Sequence, residues 1–173
     1  MSTGTDFIPL SLCVLTVSDS RTLAQDASGD WLAAALADAG HRLHDRALLP
    51  DDRYQLRAQV SRWIADEAVD GILVNGGTGF TGRDSTPEAV RPLFDKTIDG
   101  FGVVFHLVSY QTVGLSTLQS RATAGIIDGV FVFCLPGSNG AVKDGWDKVI
   151  AAQLDSRHRP CNMVELMPRL LEA

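Results

Sequence analysis

Three polar loops carry the residues in this sequence best suited to chemistry. They are Ser18-Asp19-Ser20-Arg21, Gly76-Gly77-Thr78-Gly79-Phe80-Thr81-Gly82-Arg83-Asp84 and Pro136-Gly137-Ser138-Asn139-Gly140. Two of them are glycine-rich turns that run toward the start of a helix. Glycines let backbone N–H groups close around a phosphate, and a helix N-terminus adds roughly half a positive charge. An oxyanion, phosphate above all, is the guest such loops predict. Asp84 refines the prediction, because a carboxylate beside a phosphate cradle repels the bare anion and is useful when a divalent cation stands between them. Mg2+ fits that pattern: it takes one or two carboxylates and fills its other positions with water and substrate phosphates. Asp51, in Pro50-Asp51-Asp52 ahead of another helix, is a second carboxylate able to reach the same edge; a plain N-cap or turn role is its alternative.

Other patterns lead nowhere. Gly77, Gly79 and Gly82 spell G-x-G-x-x-G, but Arg83-Asp84-Ser85 separates the last glycine from the expected helix, unlike a dinucleotide fingerprint. Gly77 and Gly82 have the spacing of a Walker A loop, with Arg83-Asp84 where Lys and Ser or Thr are required. Taken alone, the loop serves equally well as a tight strand-to-helix turn. His41 and His44 point to opposite faces of an expected strand, and no cysteine or carboxylate pattern completes a zinc site. A hydrolase triad of Ser20 or Ser138 with His106 or His158 has no G-x-S-x-G motif behind it. Trp31, Trp63 and Trp146 fall in helical stripes and read as core. Arg157, Arg159 and Arg169 read as a solvated face or subunit contact.

The elements that must position these loops alternate between strand and helix. Leu10 to Val17 is a nearly continuous apolar run, the mark of a strand covered on both faces. Trp31, Leu32, Ala35, Leu36 and Ala39 then recur at helical spacing, which predicts a helix from about Ser28 to Ala39 with Ser28 as N-cap and Gly40 just past its end. Arg42 to Leu49 reads as a weaker strand, and Leu56, Val60, Trp63 and Ile64 line one face of a second helix. Gly71 to Asn75 is a third strand. Thr86-Pro87-Glu88 places an N-cap, an N1 proline and an acidic first turn in the favoured order. Gly100 to Ala124 reads as helix, and Gly129 to Leu135 as a strand before a helix carrying Val142, Trp146, Val149 and Ile150. This alternation predicts a three-layer α/β/α domain with a mostly parallel sheet, whose ligands bind outside the carboxyl ends of the strands.

The 173 residues, 45% hydrophobic and 21% charged, suit one domain over 10–173 after a flexible 1–9. A formal net charge of −6 is the wrong sign for general attraction to nucleic acid or anionic lipid, so neither is expected as a partner. Cys13, Cys134 and Cys161 are odd in number and widely spaced, as expected of small buried hydrophobes in a reducing compartment. Met1 to Pro9 has no cationic start or apolar core of a leader, and no run approaches 18 uninterrupted apolar residues. A cytoplasmic protein with no membrane partner is expected.

Together, Ser18-Asp19-Ser20, Pro50-Asp51-Asp52, Gly76-Gly77-Thr78-Gly79 with Asp84, Thr86-Pro87-Glu88 and Pro136-Gly137-Ser138 resemble the molybdenum cofactor biosynthesis family that includes MogA, MoaB and the gephyrin G domain. The resemblance spans nearly the whole chain. Ser116 to Gly125, Pro136 to Ser138 and Asp155 to Asn162 look like its MoaB branch. It implies a homotrimer or homohexamer that binds molybdopterin and, in active members, adenylylates it with Mg-ATP, in possible contact with other enzymes of that pathway. Asp51 and Asp84 would then be the catalytic, Mg2+-holding carboxylates. Gly76, Gly77, Thr78 and Gly79 would bind phosphate, and Ser20, Ser120, Gly137, Ser138 and Asn139 would hold pterin or nucleotide, with Arg83 and Lys143 as further phosphate partners. The Ser-Asn-Gly that follows Pro136-Gly137 departs from the Asn-Pro or Gln-Pro form of the MogA and gephyrin branches. A non-catalytic molybdopterin-binding or scaffold protein is the competing expectation.

Overall fold

The computed structural model describes residues 6–172. Six strands form one sheet in the order β2-β1-β3-β6-β5-β4: β1 (Ser11–Val17), β2 (Arg42–Leu49), β3 (Gly71–Asn75), β4 (Lys96–Thr97), β5 (Thr123–Ile127) and β6 (Val130–Leu135). β1, β2, β3 and β6 run parallel. β5 and β4 are antiparallel additions at one edge. The sheet is covered by α1 (Ala27–Asp38), α4 (Asp99–Val113) and α5 (Asn139–Gly145) on one face and by α2 (Arg53–Ile64) and α3 (Thr86–Val90) on the other. α5 continues through a π turn at Trp146–Ile150 into α6 (Ala151–Leu154).

Alternation along the strands explains the two cores. Leu12, Val14, Leu73, Phe131, Phe133 and Leu135 face α1, α4 and α5, joined there by Leu32, Phe101 and Trp146. Cys13, Leu15, Val17, Ile72, Val74 and Val132 face α2 and α3. Every residue of β1, β3 and β6 is buried. The edge strand β2 instead carries Arg42, His44, Asp45 and Arg46, and such charges discourage edge-to-edge pairing.

The structure departs from the sequence reading at several points. α1 is capped by Asp26, whose carboxylate accepts from the Gly29 N–H at 3.0 Å, while Ser28 is fully buried inside the first turn. Asp26 can serve because Arg46 and Thr16 also donate to it, each at 2.7 Å, so its charge is compensated away from water. α3 begins after Ser85; the Thr86 hydroxyl donates to the Gly76 carbonyl at 2.9 Å rather than capping its own helix. The stretch 100–124, expected to be helical, is α4 followed by a 3-10 turn at Gly114–Gln119 and the opening of β5. β5 and β6 are joined by Asp128 and Gly129, both with positive φ (46° and 80°), the pattern of a two-residue hairpin turn. Cys161 is exposed, whereas Cys13 and Cys134 are buried, their thiols pushed up by burial to about 12.

Of the stretch expected to be flexible, residues 1–5 lie outside those described. Asp6 to Pro9 lie against the domain: the Ile8 N–H donates to Ser156 Oγ at 2.9 Å, and that hydroxyl donates to the Asp6 carbonyl at 3.0 Å. The apolar span Asp99–Gln119, of mean hydropathy 1.2, has the length and composition of a membrane helix. It is docked on the sheet through Phe101 and Phe105, with Phe101 edge-on to Phe133 at 5.4 Å between ring centroids.

Burial pushes the Asp26 carboxyl up, but hydrogen bonds from Thr16, Arg46 and the Gly29 N–H hold it below the ordinary carboxylate range. Its stabilisation is therefore complete above the unfolded-chain value and is lost as pH falls through the folded one. Asp26→Asn is expected to cost about 3 kcal/mol at pH 7 by leaving Arg46 without its buried partner. Urea unfolding should show the gap from wild type narrowing below about pH 4.

Candidate functional site

The parallel register brings Thr16, Asn75 and Leu135 side by side, so the chains leaving β1, β3 and β6 emerge together. Gly76 makes this possible: with φ +105°, a Cβ there would lie 2.2 Å from the Val17 carbonyl oxygen. Gly77, at φ +65°, stands where a Cβ would meet Thr86 Oγ1 at 2.3 Å and Asp51 Oδ2 at 2.5 Å. Side chains cannot enter, so backbone lines the opening. The result is a cleft of about 430 Å³ walled by the ends of the three loops, with Gln119 on a further side.

The glycine loop is held from behind. Gly76 O accepts from Thr86 Oγ1 and Gly77 O from the Thr86 N–H at 3.0 Å. Thr78 O accepts from the Arg121 N–H at 2.9 Å and Gly79 O from Arg121 Nε at 2.8 Å. Arg121 also donates to the Asp84 carbonyl at 2.9 Å and pairs with Glu88. Four successive carbonyls are thereby bound. Among the described residues, the N–H groups of Gly77, Thr78 and Gly79 and the Thr78 hydroxyl have no such partner.

Two carboxylates brace this loop. Asp84 Oδ2 accepts from the Thr81 N–H at 2.8 Å and its hydroxyl at 2.6 Å, and lies against Gly79. Asp51 Oδ1 accepts from the Ser85 N–H at 3.0 Å and from the Ser85 hydroxyl. Asp19 takes the Asp51 N–H at 3.0 Å and a two-point pair with Arg83 at 2.7 and 2.9 Å. Burial, with the charges of Asp84 and Asp19, raises the Asp51 carboxyl above its ordinary value despite the Ser85 hydrogen bonds. Arg83 and the Asp51 N–H lower that of Asp19.

A family model described as a probable molybdopterin binding domain matches residues 13–156. Molybdenum cofactor biosynthesis protein B of Escherichia coli strain K12 is 48% identical over 159 residues, 92% of this chain and 94% of that protein. The chain belongs to the molybdenum cofactor biosynthesis protein B family. The Bacillus subtilis member of this MoaB family is 43% identical over 82% of this chain and 84% of that protein. A crystal structure of a molybdenum cofactor biosynthesis protein B superimposes with a TM-score of 0.81 at 41% identity, covering 84% of this chain and 91% of that one. The structure of the tungsten cofactor synthesizing protein MoaB from Pyrococcus furiosus gives 0.73 at 38% identity, covering 82% and 90%.

In this MoaB-family chain Ser20, Gly76, Gly77, Thr78, Gly79, Asp84, Gly137 and Ser138 line one cleft. Three expected residues do not line it. Asp51 lies behind Gly77, with Ser85 bound to it; Ser120 accepts from the Ala122 N–H at 3.2 Å; Asn139 is the exposed first residue of α5, beyond the Ser138 cap. Arg83 is spent on Asp19, and Lys143 sits 5.5 Å from the centre of the Trp31 ring. Arg21, Gln119 and Arg121 enter the site without having been singled out. Arg21 stood in a loop already marked as polar; Arg121 has no local signal, since its partners are some 40 residues away in sequence.

Gly76→Ala is expected to destabilise the fold by about 3 kcal/mol, from a strained φ and a backbone clash with Val17. At Gly82, where a Cβ meets nothing within 4 Å, the same change should stay within about 0.5 kcal/mol of wild type in urea unfolding.

Proposed function

We propose that the chain binds molybdopterin through its terminal phosphate in this cleft and, with ATP and Mg2+, transfers an adenylyl group to that phosphate. The observation that supports this reading best is the glycine loop, whose carbonyls are bound by Thr86 and Arg121 while three successive N–H groups have no acceptor among the described residues. Donors arranged this way suit an oxyanion.

In the proposed reaction an oxygen of the pterin's terminal phosphate attacks the α-phosphorus of ATP. A P–O–P bond forms there, the bond to the β-phosphate breaks, and pyrophosphate leaves with the electron pair. A phosphate monoester, with its second pKa near 6, is largely dianionic at about pH 7, so no general base is needed. The barrier lies in bringing anions together, which positioning and charge neutralisation lower. The loop N–H groups and the Thr78 hydroxyl would hold one oxyanion, and Ser20 and Ser138 stand at the rim for the other.

The donor chemistry fits Mg2+. Asp84 lines the cleft with Oδ1 free of hydrogen bonds among the described residues, and Asp51 Oδ2 is also unclaimed. No three His, Cys, Asp or Glu side chains converge into a metal cage among the described residues, and Mg2+ bound to nucleotide phosphates needs only one or two carboxylates. Asp84 and Asp51 would hold the ion, which when bound offsets charge between the phosphates.

The second reading, a molybdopterin-binding or scaffold protein without adenylyl transfer, is favoured by one observation. Asp51 reaches the site from behind the loop, with Oδ1 engaged by Ser85, as a brace for the turn would be. Incubation with molybdopterin, ATP and Mg2+ decides between the two. Adenylylated pterin and pyrophosphate should form in equal amounts and disappear with a chelator. Asp84→Asn should lower turnover about 100-fold while the pterin Kd stays within about threefold. Binding without product gives the second reading, and absence of pterin binding overturns both.

Self-association as a homotrimer or homohexamer belongs to the same proposal. Leu107, Leu115 and Leu118 on α4 and the turn after it are 64%, 72% and 67% exposed, and Val103, Tyr110 and Val113 extend the same uncharged surface. A contiguous apolar patch of this kind suits a subunit contact. Light scattering should give a trimeric or hexameric mass for wild type and a monomeric one for Leu107→Glu with Leu118→Glu.

A further inference from the structure

The cleft would receive ligands bearing several negative charges and already contains the Asp84 carboxylate, yet among the described residues Arg21 is the one cation in its lining. The basic groups nearby are committed elsewhere. Arg83 pairs with Asp19, Arg121 grips Gly79, Asp84 and Glu88 behind the loop, and Lys143 rests on Trp31. Arg21, by contrast, is held through one nitrogen only. Its Nη1 donates to Ser28 Oγ at 3.0 Å and, more weakly, to the Gly137 carbonyl at 3.5 Å. Nε and Nη2 have no acceptor among the described residues.

The anchor is itself fixed from within. Ser28 Oγ donates to Asn75 Oδ1 at 3.0 Å, Asn75 Nδ2 donates to Thr16 Oγ1 at 3.0 Å, and Thr16 Oγ1 donates to Asp26 Oδ2 at 2.7 Å. Asp26 ends the chain on Arg46 at 2.7 Å. Ser28, Asn75, Thr16 and Asp26 are all at most 1% exposed. Polar groups this deep are costly without partners, and hydrogen bonds that link Ser28, Asn75, Thr16 and Asp26 in series hold them in one geometry. The chain runs from β2 through the cap of α1, β1 and β3 back to Ser28 in the first turn of α1, whose Oγ accepts from Arg21 at the rim of the cleft.

We infer that Arg21 is the residue that grips a phosphate oxyanion in this cleft, using the two nitrogens its anchor leaves free. A guanidinium offers parallel N–H donors that match two phosphate oxygens, which an ammonium cannot do. The inference rests on the phosphate-binding reading of the cleft, and the phosphate has two possible sources, the pterin or the nucleotide.

Calorimetric titration of wild type, Arg21→Gln and Arg21→Lys with molybdopterin, Mg-ATP and inorganic pyrophosphate in separate arms tests it. Arg21→Gln should bind at least one of them about tenfold or more weakly, with a shallower dependence on salt, and the arm that weakens names the source. Arg21→Lys should recover part of the loss. Should Arg21→Gln fail to fold, a severalfold loss in Arg21→Lys supports the inference. Arg21→Lys at wild-type affinity overturns the two-point grip. Affinities within about twofold of wild type for Arg21→Gln in every arm overturn the whole inference. If wild type binds pyrophosphate through Arg21 but neither molybdopterin nor Mg-ATP, Arg21 stands and the proposed function falls. If wild type binds none of the three, both fall.

Discussion

The contact between the α-carbon of Gly76 and the carbonyl of Val17 governs the arrangement at the functional edge. A Cβ at Gly76 would lie 2.2 Å from that oxygen, and one at Gly137 would lie 3.1 Å from the Gly76 α-carbon. Three chain segments leaving β1, β3 and β6 can therefore touch at one point. Because they touch, the backbone of the middle loop must turn through positive φ at Gly76 and Gly77, and its carbonyls swing back onto Thr86 and Arg121. The free N–H groups follow from that swing rather than from any residue chosen to bind a ligand.

Around this point the protein separates its charges by depth. The negative groups of the loop, Asp51 and Asp84, each accept hydrogen bonds from the segment they brace, Ser85 and Thr81. Asp19 is neutralised by Arg83 out in solvent. The deepest charge, Asp26, does not line the opening and is compensated by Arg46. Burial and the charges of Asp84 and Asp19 raise the Asp51 carboxyl above its ordinary value.

Much of this was legible in the sequence. The buried strands announced themselves as unbroken apolar runs, and the glycine loop by composition, since both are local properties. Gly40, with φ +93°, ends α1 where a glycine after the last periodic residue placed it. The errors have physical causes. Ser28 was a good cap by type, but Asp26, two residues earlier, had Arg46 and Thr16 to stabilise it, and those partners come from other strands. β5 was missed, its first two residues falling at the end of a stretch read as helix and the rest unassigned, although Asp128-Gly129 between apolar runs carries the signal of a hairpin. Arg121 was illegible because its use depends on contacts far away in sequence; Asp51 was legible as a residue of this edge, but spacing does not give the side from which it arrives.

The hairpin at Asp128-Gly129 has a bearing on how the chain acquires this form. Among the described strands, β5 and β6 alone are joined by two residues; the parallel pairs need whole crossover segments between them, and β4 and β5 are separated by all of α4. Closing a short loop costs little entropy, whereas each long closure must be made before its contacts repay it. The order of assembly thus favours β5–β6 as a seed, with Phe131 and Phe133 already in place for α4 to land on. The strand whose end carries Pro136, Gly137 and Ser138 is then the template on which β3, and with it the glycine loop, is laid.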